Sequence, residues 1–497
     1  MEAMNTAYPP DNLNPLAPPQ RVTGSTETER QQELEAAPKV DTKPSMLDGF
    51  KENLHDIKEN VKETFQSDHH HGTEVSPKST MFDDYQQVPD YIAESIPFFI
   101  LTISLEFLTL ALKDQGKGLK KIRAWNSSHY SVNDTIGSIG ASMLQQVSKF
   151  FMYNISLYSY LYVYDHYRIM DLDPHQLSVW LACFLVVDLG YYWFHRAAHE
   201  VNLFWATHVV HHSSEYYNQT TALRQSFFQV YCLWLFDLPG ALFFPPSLYL
   251  VHRQFNTLFQ YWIHTQVIGH LGPLEYIINT PSAHRVHHGR NPYCIDKNYA
   301  DTLIIWDILF GTFEQERTHE PVAYGLTHPI NTFDPLTIQC HHFIYLFKLC
   351  WTTPGFDKLK VLFYGPGWYR GVPRTGLIQD IPWVPQEMPP EKYDPKVSWG
   401  IQVYVTLHFI VLVFVNGLFL SSQEHTFSAV CMVSFYVLST LTCFGWIFDS
   451  KPWAIQAEIV RCLIVCVFVQ TQSIPHLFIF QLMSGLWLLS TQKKHVY

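Results

Sequence analysis

The chain has few charged residues for its length, and they are unevenly placed. Only 15% of its 497 residues are Asp, Glu, Lys or Arg, whereas about one quarter is usual for a soluble protein. Residues 1–90 contain 17 acidic and 8 basic residues, and the rest of the chain is nearly neutral. A nucleic-acid-binding protein needs a basic surface, so this balance excludes that class. The apolar, aromatic-rich body is typical of a multi-pass membrane protein.

Paired cysteine motifs and a signal peptide are also lacking. The nine cysteines include no CxxC pair, which argues against a zinc ribbon or a thiol redox site. The first 90 residues contain no apolar stretch of signal-peptide length, so we expect insertion through the first transmembrane helix. Pro, Glu, Ser and Thr are frequent in residues 1–85, which predicts a disordered acidic N-terminal tail.

Apolar runs long enough to cross a membrane begin near residue 92. Because a span needs about 20 apolar residues, the pattern predicts an all-α polytopic membrane protein with about eight or nine membrane-embedded helices. A hairpin over residues 226–267 turns at Pro245 and Pro246, since proline interrupts a helix. The other predicted spans are 92–112, 147–166, 177–194, 401–421, 427–447, 454–471 and 474–490.

Basic residues indicate how these spans are oriented. Five Lys and Arg residues lie between Lys113 and Arg123, just after the first span, and the positive-inside rule places them in the cytosol. Alternation from that loop predicts that residues 195–225 and 268–400 also face the cytosol. The histidine groups described next lie in those two segments.

Eleven of the 26 histidines lie between residues 195 and 288, and eight of them form three compact groups with the patterns HxxxH, HxxHH and HxxHH. Residues at i, i+3 and i+4 share one face of a helix, so each group presents several imidazoles together. Imidazole suits iron, copper, zinc and nickel, and eight rings are too many for one ion but enough for two. The groups are His195 and His199; His208, His211 and His212; and His284, His287 and His288.

A carboxylate lies inside the third predicted span. Asp188 precedes His195 by seven residues, which is about two helical turns on the same face. A buried carboxylate in a membrane helix is costly and usually paired or functional. We therefore expect Asp188 to hydrogen-bond towards the metal site and to contribute to catalysis.

Several stretches around the histidines carry a family resemblance. These stretches are Phe194–Glu200, Trp262–Thr265, Asn279–Asn291, Cys294–Ala300, Leu309–Glu314 and Tyr324–Pro329. With them, the sequence resembles the alkylglycerol monooxygenase family, within the fatty acid hydroxylase and sterol desaturase superfamily, over roughly residues 80–490. The resemblance implies a catalytic membrane domain over 86–330, a cytosolic connecting region over 331–400 and C-terminal transmembrane helices over 401–497.

The resemblance implies an enzyme of the endoplasmic reticulum membrane that uses two iron ions, tetrahydrobiopterin and O2. It would take a 1-O-alkylglycerol or a lyso-ether-phospholipid from the bilayer and hydroxylate the carbon next to the ether oxygen. The eight grouped histidines would bind the irons, and related hydroxylases use an additional histidine at a position that His264 could fill. Glu200 matches a glutamate that the family needs, either as an iron ligand or as a partner of an imidazole. No motif marks the pterin site, and the accessible segment 290–395, with Trp306 and Asp307, is the first place to expect it.

Two alternatives differ in chemistry. A sterol or sphingolipid hydroxylase or desaturase would take electrons from cytochrome b5, but compact members of that class lack four C-terminal spans. A histidine-rich metal transporter would usually show internal repeats and ionisable residues near the bilayer midplane. This sequence has no such repeat, and intact histidine groups also argue against a non-catalytic scaffold.

Overall fold

The computed structural model describes residues 82–115, 129–151, 155–384, 391–422, 425–471 and 475–492. Within these ranges the regular structure is helical, apart from one isolated antiparallel bridge between Gly289 and Tyr324. The predicted all-α class is therefore confirmed for the described residues. The predicted acidic tail, 1–85, lies almost wholly outside them.

The first part of the chain contains the segments that carry the histidine groups. Short 3-10 turns lie at Tyr85–Gln87, Gly272–Tyr276 and Pro292–Cys294. The helices are α1 (Tyr91–Glu94), α2 (Ile96–Gln115), α3 (Val132–Ser148), α4 (Ile155–Tyr167), α5 (Leu177–Glu200), α6 (Asn202–His212), α7 (Gln219–Ala222), α8 (Val230–Ala241), α9 (Pro246–Ile263), α10 (Pro281–His287) and α11 (Ile305–Phe310).

The second part begins with a helix pair and ends in four long helices. A further 3-10 turn lies at Ile378–Asp380. A shared apolar core joins α3 to the four C-terminal helices, so both parts pack as one body around it. The helices are α12 (Pro335–Thr352), α13 (Asp357–Phe363), α14 (Trp399–Leu420), α15 (Phe427–Phe448), α16 (Ala454–Thr471) and α17 (Pro475–Gln492).

Four segments among the described residues are long and apolar enough to cross a membrane. They are Tyr85–Lys113, Leu177–Glu200, Trp399–Leu420 and Phe427–Phe448. In the predicted span 147–166, α4 has only 13 residues. That is about 20 Å of helix, less than the hydrocarbon thickness of about 30 Å. The membrane character agrees with the sequence, and the total of about eight or nine embedded helices stays a prediction.

Local sequence signals set the boundaries of the helices that matter for the histidines. Val201 is extended (φ −127°, ψ 115°), so it separates α5 from α6 and turns the chain between the first two histidine groups. The Thr280 hydroxyl accepts a hydrogen bond from the backbone N–H of Ala283 at 3.2 Å, and Pro281 occupies the first position of α10. Both are favourable helix-start residues, and they begin the third histidine group at a fixed point.

Candidate metal centre

Nine buried histidines form two adjoining groups, each with its ring nitrogens within 4.8 Å of one another. All nine histidines that the sequence predicts as metal ligands, including His264, belong to these groups. Group A consists of His195, His199, His208, His212 and His287, and group B consists of His211, His264, His284 and His288.

Four chain segments bring these rings together. The last turns of α5 supply His195 and His199, and the next helix, α6, supplies His208, His211 and His212. His264 lies just after the end of α9, where the helical hydrogen bonding stops. The short helix α10 and its C-cap supply His284, His287 and His288. Since each of these histidines lies on a packed helix or its cap, the rings are positioned before any ion binds.

Backbone carbonyls determine which nitrogen of several rings faces the centre. The Nδ1 atom of His195 lies 2.8 Å from the carbonyl oxygen of Tyr299, and that of His287 lies 2.9 Å from the carbonyl oxygen of Lys297. The same contact joins His211 to Arg224 at 3.2 Å and His264 to Gln260 at 2.5 Å. A carbonyl oxygen can only accept, so each Nδ1 must carry the proton. Each Nε2 is therefore left with a free lone pair, as a metal ligand requires.

The Nε2 atoms then face one another at short range. The two Nε2 atoms of His195 and His208 are 3.0 Å apart, and those of His264 and His211 are 3.2 Å apart. No proton is left to join His264 to His211, so the two lone pairs would repel. Two nitrogens bound to one ion at about 2.1 Å, at right or tetrahedral angles, lie roughly 3.0–3.4 Å apart. The spacing therefore fits a shared cation in each group.

The surroundings keep the rings neutral and dry. Burial lowers the pKa of the α6 and α10 imidazoles well below the ordinary value of histidine, and neighbouring imidazoles lower it further. Only the neutral imidazole binds a metal, so these rings can bind a metal ion at neutral pH. Among the described residues, the buried Nε2 atoms of His199 and His287 have no hydrogen-bond partner, which a bound ion would provide.

Asp188 does not reach an imidazole in the structure. Its carboxylate accepts hydrogen bonds from the backbone N–H of Thr302 at 2.8 Å, the backbone N–H of Leu303 at 3.1 Å and the indole N–H of Trp306 at 2.8 Å. This fixes the segment that carries the Tyr299 carbonyl, which in turn orients His195. The expected link to the metal site is thus indirect, and the Trp306 indole N–H is engaged by Asp188.

Replacing Asp188 with Ala should loosen the metal centre without removing a ligand. Three partly buried donors would lose their acceptor, at up to about 1–3 kcal/mol for each unsatisfied group. We expect a lower unfolding temperature and iron that a chelator removes more easily, by about 10–100-fold in affinity. Asp188→Asn should have a smaller effect, because its single amide oxygen still accepts while its NH2 faces the remaining donors. Equal iron retention in Asp188→Ala and the unaltered chain would contradict this role.

Glu200 also has partners other than histidine. Its carboxylate accepts from the Arg196 guanidinium at 2.8 Å and from the Arg374 guanidinium at 2.8 Å. Neither ion pair involves a ring of group A or group B. Glu200 therefore joins the end of α5 to the segment that follows α13, and the structure shows no contact that assigns it to the metal.

Sequence reasoning missed the groups that orient the rings. The four carbonyl oxygens described above belong to the backbone and leave no trace in a side-chain motif. Asp296 lies 4.0 Å from Nδ1 of His199 through its Oδ1 atom and has a left-handed backbone, with φ of 57°. It belongs to the stretch Cys294–Ala300, whose resemblance to the family was the one available signal.

Comparison with known proteins agrees with this arrangement. Residues 180–312 match the fatty acid hydroxylase model, and residues 401–484 match the model of the alkylglycerol monooxygenase C-terminal domain. An alkylglycerol monooxygenase from Xenopus tropicalis is 44% identical over 432 residues, which cover 84% of this chain and 93% of that protein. The Homo sapiens alkylglycerol monooxygenase is 46% identical over 392 residues, covering 78% and 84%.

The chain belongs to the alkylglycerol monooxygenase family. The resemblance seen in the sequence is thereby confirmed. A more distant relative, an ornithine lipid hydroxylase from Rhizobium tropici, is 30% identical over 145 residues, covering 29% of this chain and 44% of that protein. No solved structure matches the chain significantly. The histidine groups lie inside the fatty acid hydroxylase match, and the C-terminal helices over 401–484 lie inside the match to the alkylglycerol monooxygenase C-terminal domain.

Proposed function

We propose that the protein is an ether-lipid-cleaving monooxygenase. Its substrate would be a 1-O-alkylglycerol or a lyso-ether-phospholipid, and its cofactors two iron ions and tetrahydrobiopterin. The observation that carries the proposal is the pair of adjoining groups, five and four imidazoles with converging nitrogens, in a chain of this family. Group A and group B would hold one iron each.

The reaction needs oxidation at an unactivated carbon. Bound iron would activate O2, with the pterin as the two-electron reductant, and one oxygen atom would enter the C–H bond beside the ether oxygen while the other leaves as water. The resulting hemiacetal breaks its carbon–oxygen bond to give a fatty aldehyde and a glycerol derivative. The chain holds the rings in one tautomer through the Tyr299 and Gln260 carbonyls and keeps water from the buried centre.

We further propose that the protein is a multi-pass component of the endoplasmic reticulum membrane whose metal centre faces the cytosol. The basic loop between Lys113 and Arg123 supports this orientation through the positive-inside rule. The predicted domains 86–330, 331–400 and 401–497 would then be a catalytic membrane domain, a connecting region on the cytosolic side and a C-terminal helical bundle.

A membrane-fraction assay tests this function. Labelled 1-O-alkylglycerol should yield fatty aldehyde when tetrahydrobiopterin is added and none when it is omitted. The same membranes containing His212→Ala should be inactive at equal expression, because His212 belongs to group A. No turnover in membranes that contain two irons per chain would contradict the proposal and favour a sterol or sphingolipid substrate with cytochrome b5 as donor.

A further inference from the structure

The helix pair α12–α13 presents an apolar outer surface that the other described residues leave uncovered. On α12, Ile344, Phe347 and Trp351 lie three and four residues apart, hence on one face, and are 53%, 69% and 77% exposed. Phe356, in the connection to α13, is 88% exposed. Soluble proteins rarely expose apolar patches of this kind unless another surface covers them. The outer surface is defined here as Ile344, Phe347, Trp351, Phe356, Leu359 and Phe363.

The opposite face of α12 is packed against the protein. Ile338 and Leu346 are buried there, and His342 donates through Nε2 to the amide oxygen of Asn202 at 2.6 Å. The helix packs against α6 and against α15, which is long and apolar enough to cross a membrane. It therefore lies beside a membrane-spanning helix, with its inner face on the metal-binding domain.

We propose that the outer surface of α12–α13 is seated in the headgroup region of the bilayer, with its aromatic side chains at the boundary with the acyl chains. Tryptophan and other amphipathic or aromatic residues favour this depth. The exposed lysines Lys348 and Lys358 flank the patch, and their stems can reach out to lipid phosphates. α12 itself is not among the segments apolar enough to span, which favours a position along the membrane surface.

This element is tied directly to the helices that carry group A. Asn202, the first residue of α6, donates through its backbone N–H to the Tyr364 carbonyl at 2.8 Å and through its side chain to the Val361 carbonyl at 3.0 Å. Arg374 binds Glu200 at the end of α5. Seating α12–α13 would thus fix the height of the metal centre relative to the lipid headgroups.

The depth of the metal centre in the membrane affects which part of a lipid it can reach, and this inference rests on the proposed function. The ether carbon of an alkylglycerol lies next to the glycerol, at the level where headgroups meet acyl chains. An element anchored at this level would hold the metal centre at the depth of the reacting carbon. The seating itself does not depend on the reaction, so it can be tested without turnover.

Depth-dependent quenching in reconstituted full-length protein tests the seating. A bimane label on Phe356→Cys should be quenched several-fold more by phosphatidylcholine with a doxyl group at acyl carbon 5 than a label on Thr318→Cys. Thr318 lies in an exposed polar loop and is the matched control. Aqueous iodide should give the reverse order. Vesicles of phosphatidylcholine with some phosphatidylserine serve for all samples, and the labelled unaltered chain corrects for its nine cysteines.

A second position keeps the test independent of one variant. Trp351→Cys should behave like Phe356→Cys, since both side chains are exposed and their loss leaves no cavity. If iodide quenches both labels as strongly as the Thr318 label, and the doxyl lipid does not quench them, the surface is in water and the proposal is wrong. Failure of the aldehyde assay would leave this result unchanged, so the two proposals can fail separately.

Discussion

Replacing His264 with Ala should abolish turnover and remove about one of the two irons that the proposed function places in each chain. The Nε2 atom of His264 lies 3.2 Å from that of His211, 3.1 Å from that of His288 and 3.1 Å from that of His284, so it is central to group B. Loss of an orienting partner costs about 10–100-fold in metal affinity or activity, and loss of a ligand itself should exceed that. Group A shares none of these contacts and should keep its ion.

The measurement is metal content of the purified protein together with aldehyde formation. His270→Ala is the matched control, because His270 is exposed six residues further along and its Nδ1 accepts only the local N–H of Gly272 at 3.0 Å. We expect this control to keep both irons and full activity. Two irons and normal turnover in His264→Ala would show that group B does not hold a metal through this ring.

The sequence predicts which histidines come together, but not how they divide into two groups. Helical spacing alone places His284 with His287 and His288 near one another. It does not predict that His287 joins group A while His288 joins group B. Adjacent residues in a helix point about 100° apart, so neighbours such as His211 and His212 diverge towards different centres. That direction depends on how α6 and α10 pack together, which a single-chain pattern does not contain.

Asp188 and the connecting region show the same limit. The sequence shows that a carboxylate in a span needs partners, and the partners are two backbone N–H groups and an indole N–H more than one hundred residues later. Composition predicts that 331–400 lacks a span, and no helix among the described residues of this range is both long and apolar enough to cross a membrane. Composition does not reveal that Phe347 and Trp351 are exposed. Their exposure depends on which face of α12 packs against the protein, and the hydrogen bond between His342 and Asn202 lies on that packed face.

Glu458 and Arg461, three residues apart on α16, form a buried ion pair that also contacts the neighbouring C-terminal helices. The guanidinium lies 2.5 Å from the carboxylate, and the side chains are 0% and 2% exposed. Tyr404 of α14 also donates to Glu458 at 2.6 Å, and Arg461 donates to Thr440 of α15 at 3.2 Å. Three helices therefore meet at one charged pair inside an apolar bundle.

Arg461→Leu should strongly destabilise the protein, because it leaves the Glu458 carboxylate buried without a counter-charge. Breaking such a pair typically costs about 3–5 kcal/mol, whereas replacing both partners by apolar residues is often neutral. Glu458→Leu combined with Arg461→Leu should therefore recover most of the unfolding temperature lost in the single variant. Thermal unfolding in detergent, followed by intrinsic fluorescence, measures both.

Arg168→Leu is the matched control for this prediction. Arg168 and Asp171 form an ion pair with the same three-residue spacing, at 2.5 Å, but their side chains are 36% and 81% exposed. Solvent screens such a pair, so its loss should cost far less than the loss of the buried pair. If the double variant at 458 and 461 is as unstable as Arg461→Leu alone, the cost lies in lost packing. The difference in stability between Arg461→Leu and Arg168→Leu would then arise from the volume that each arginine fills and not from the buried charge.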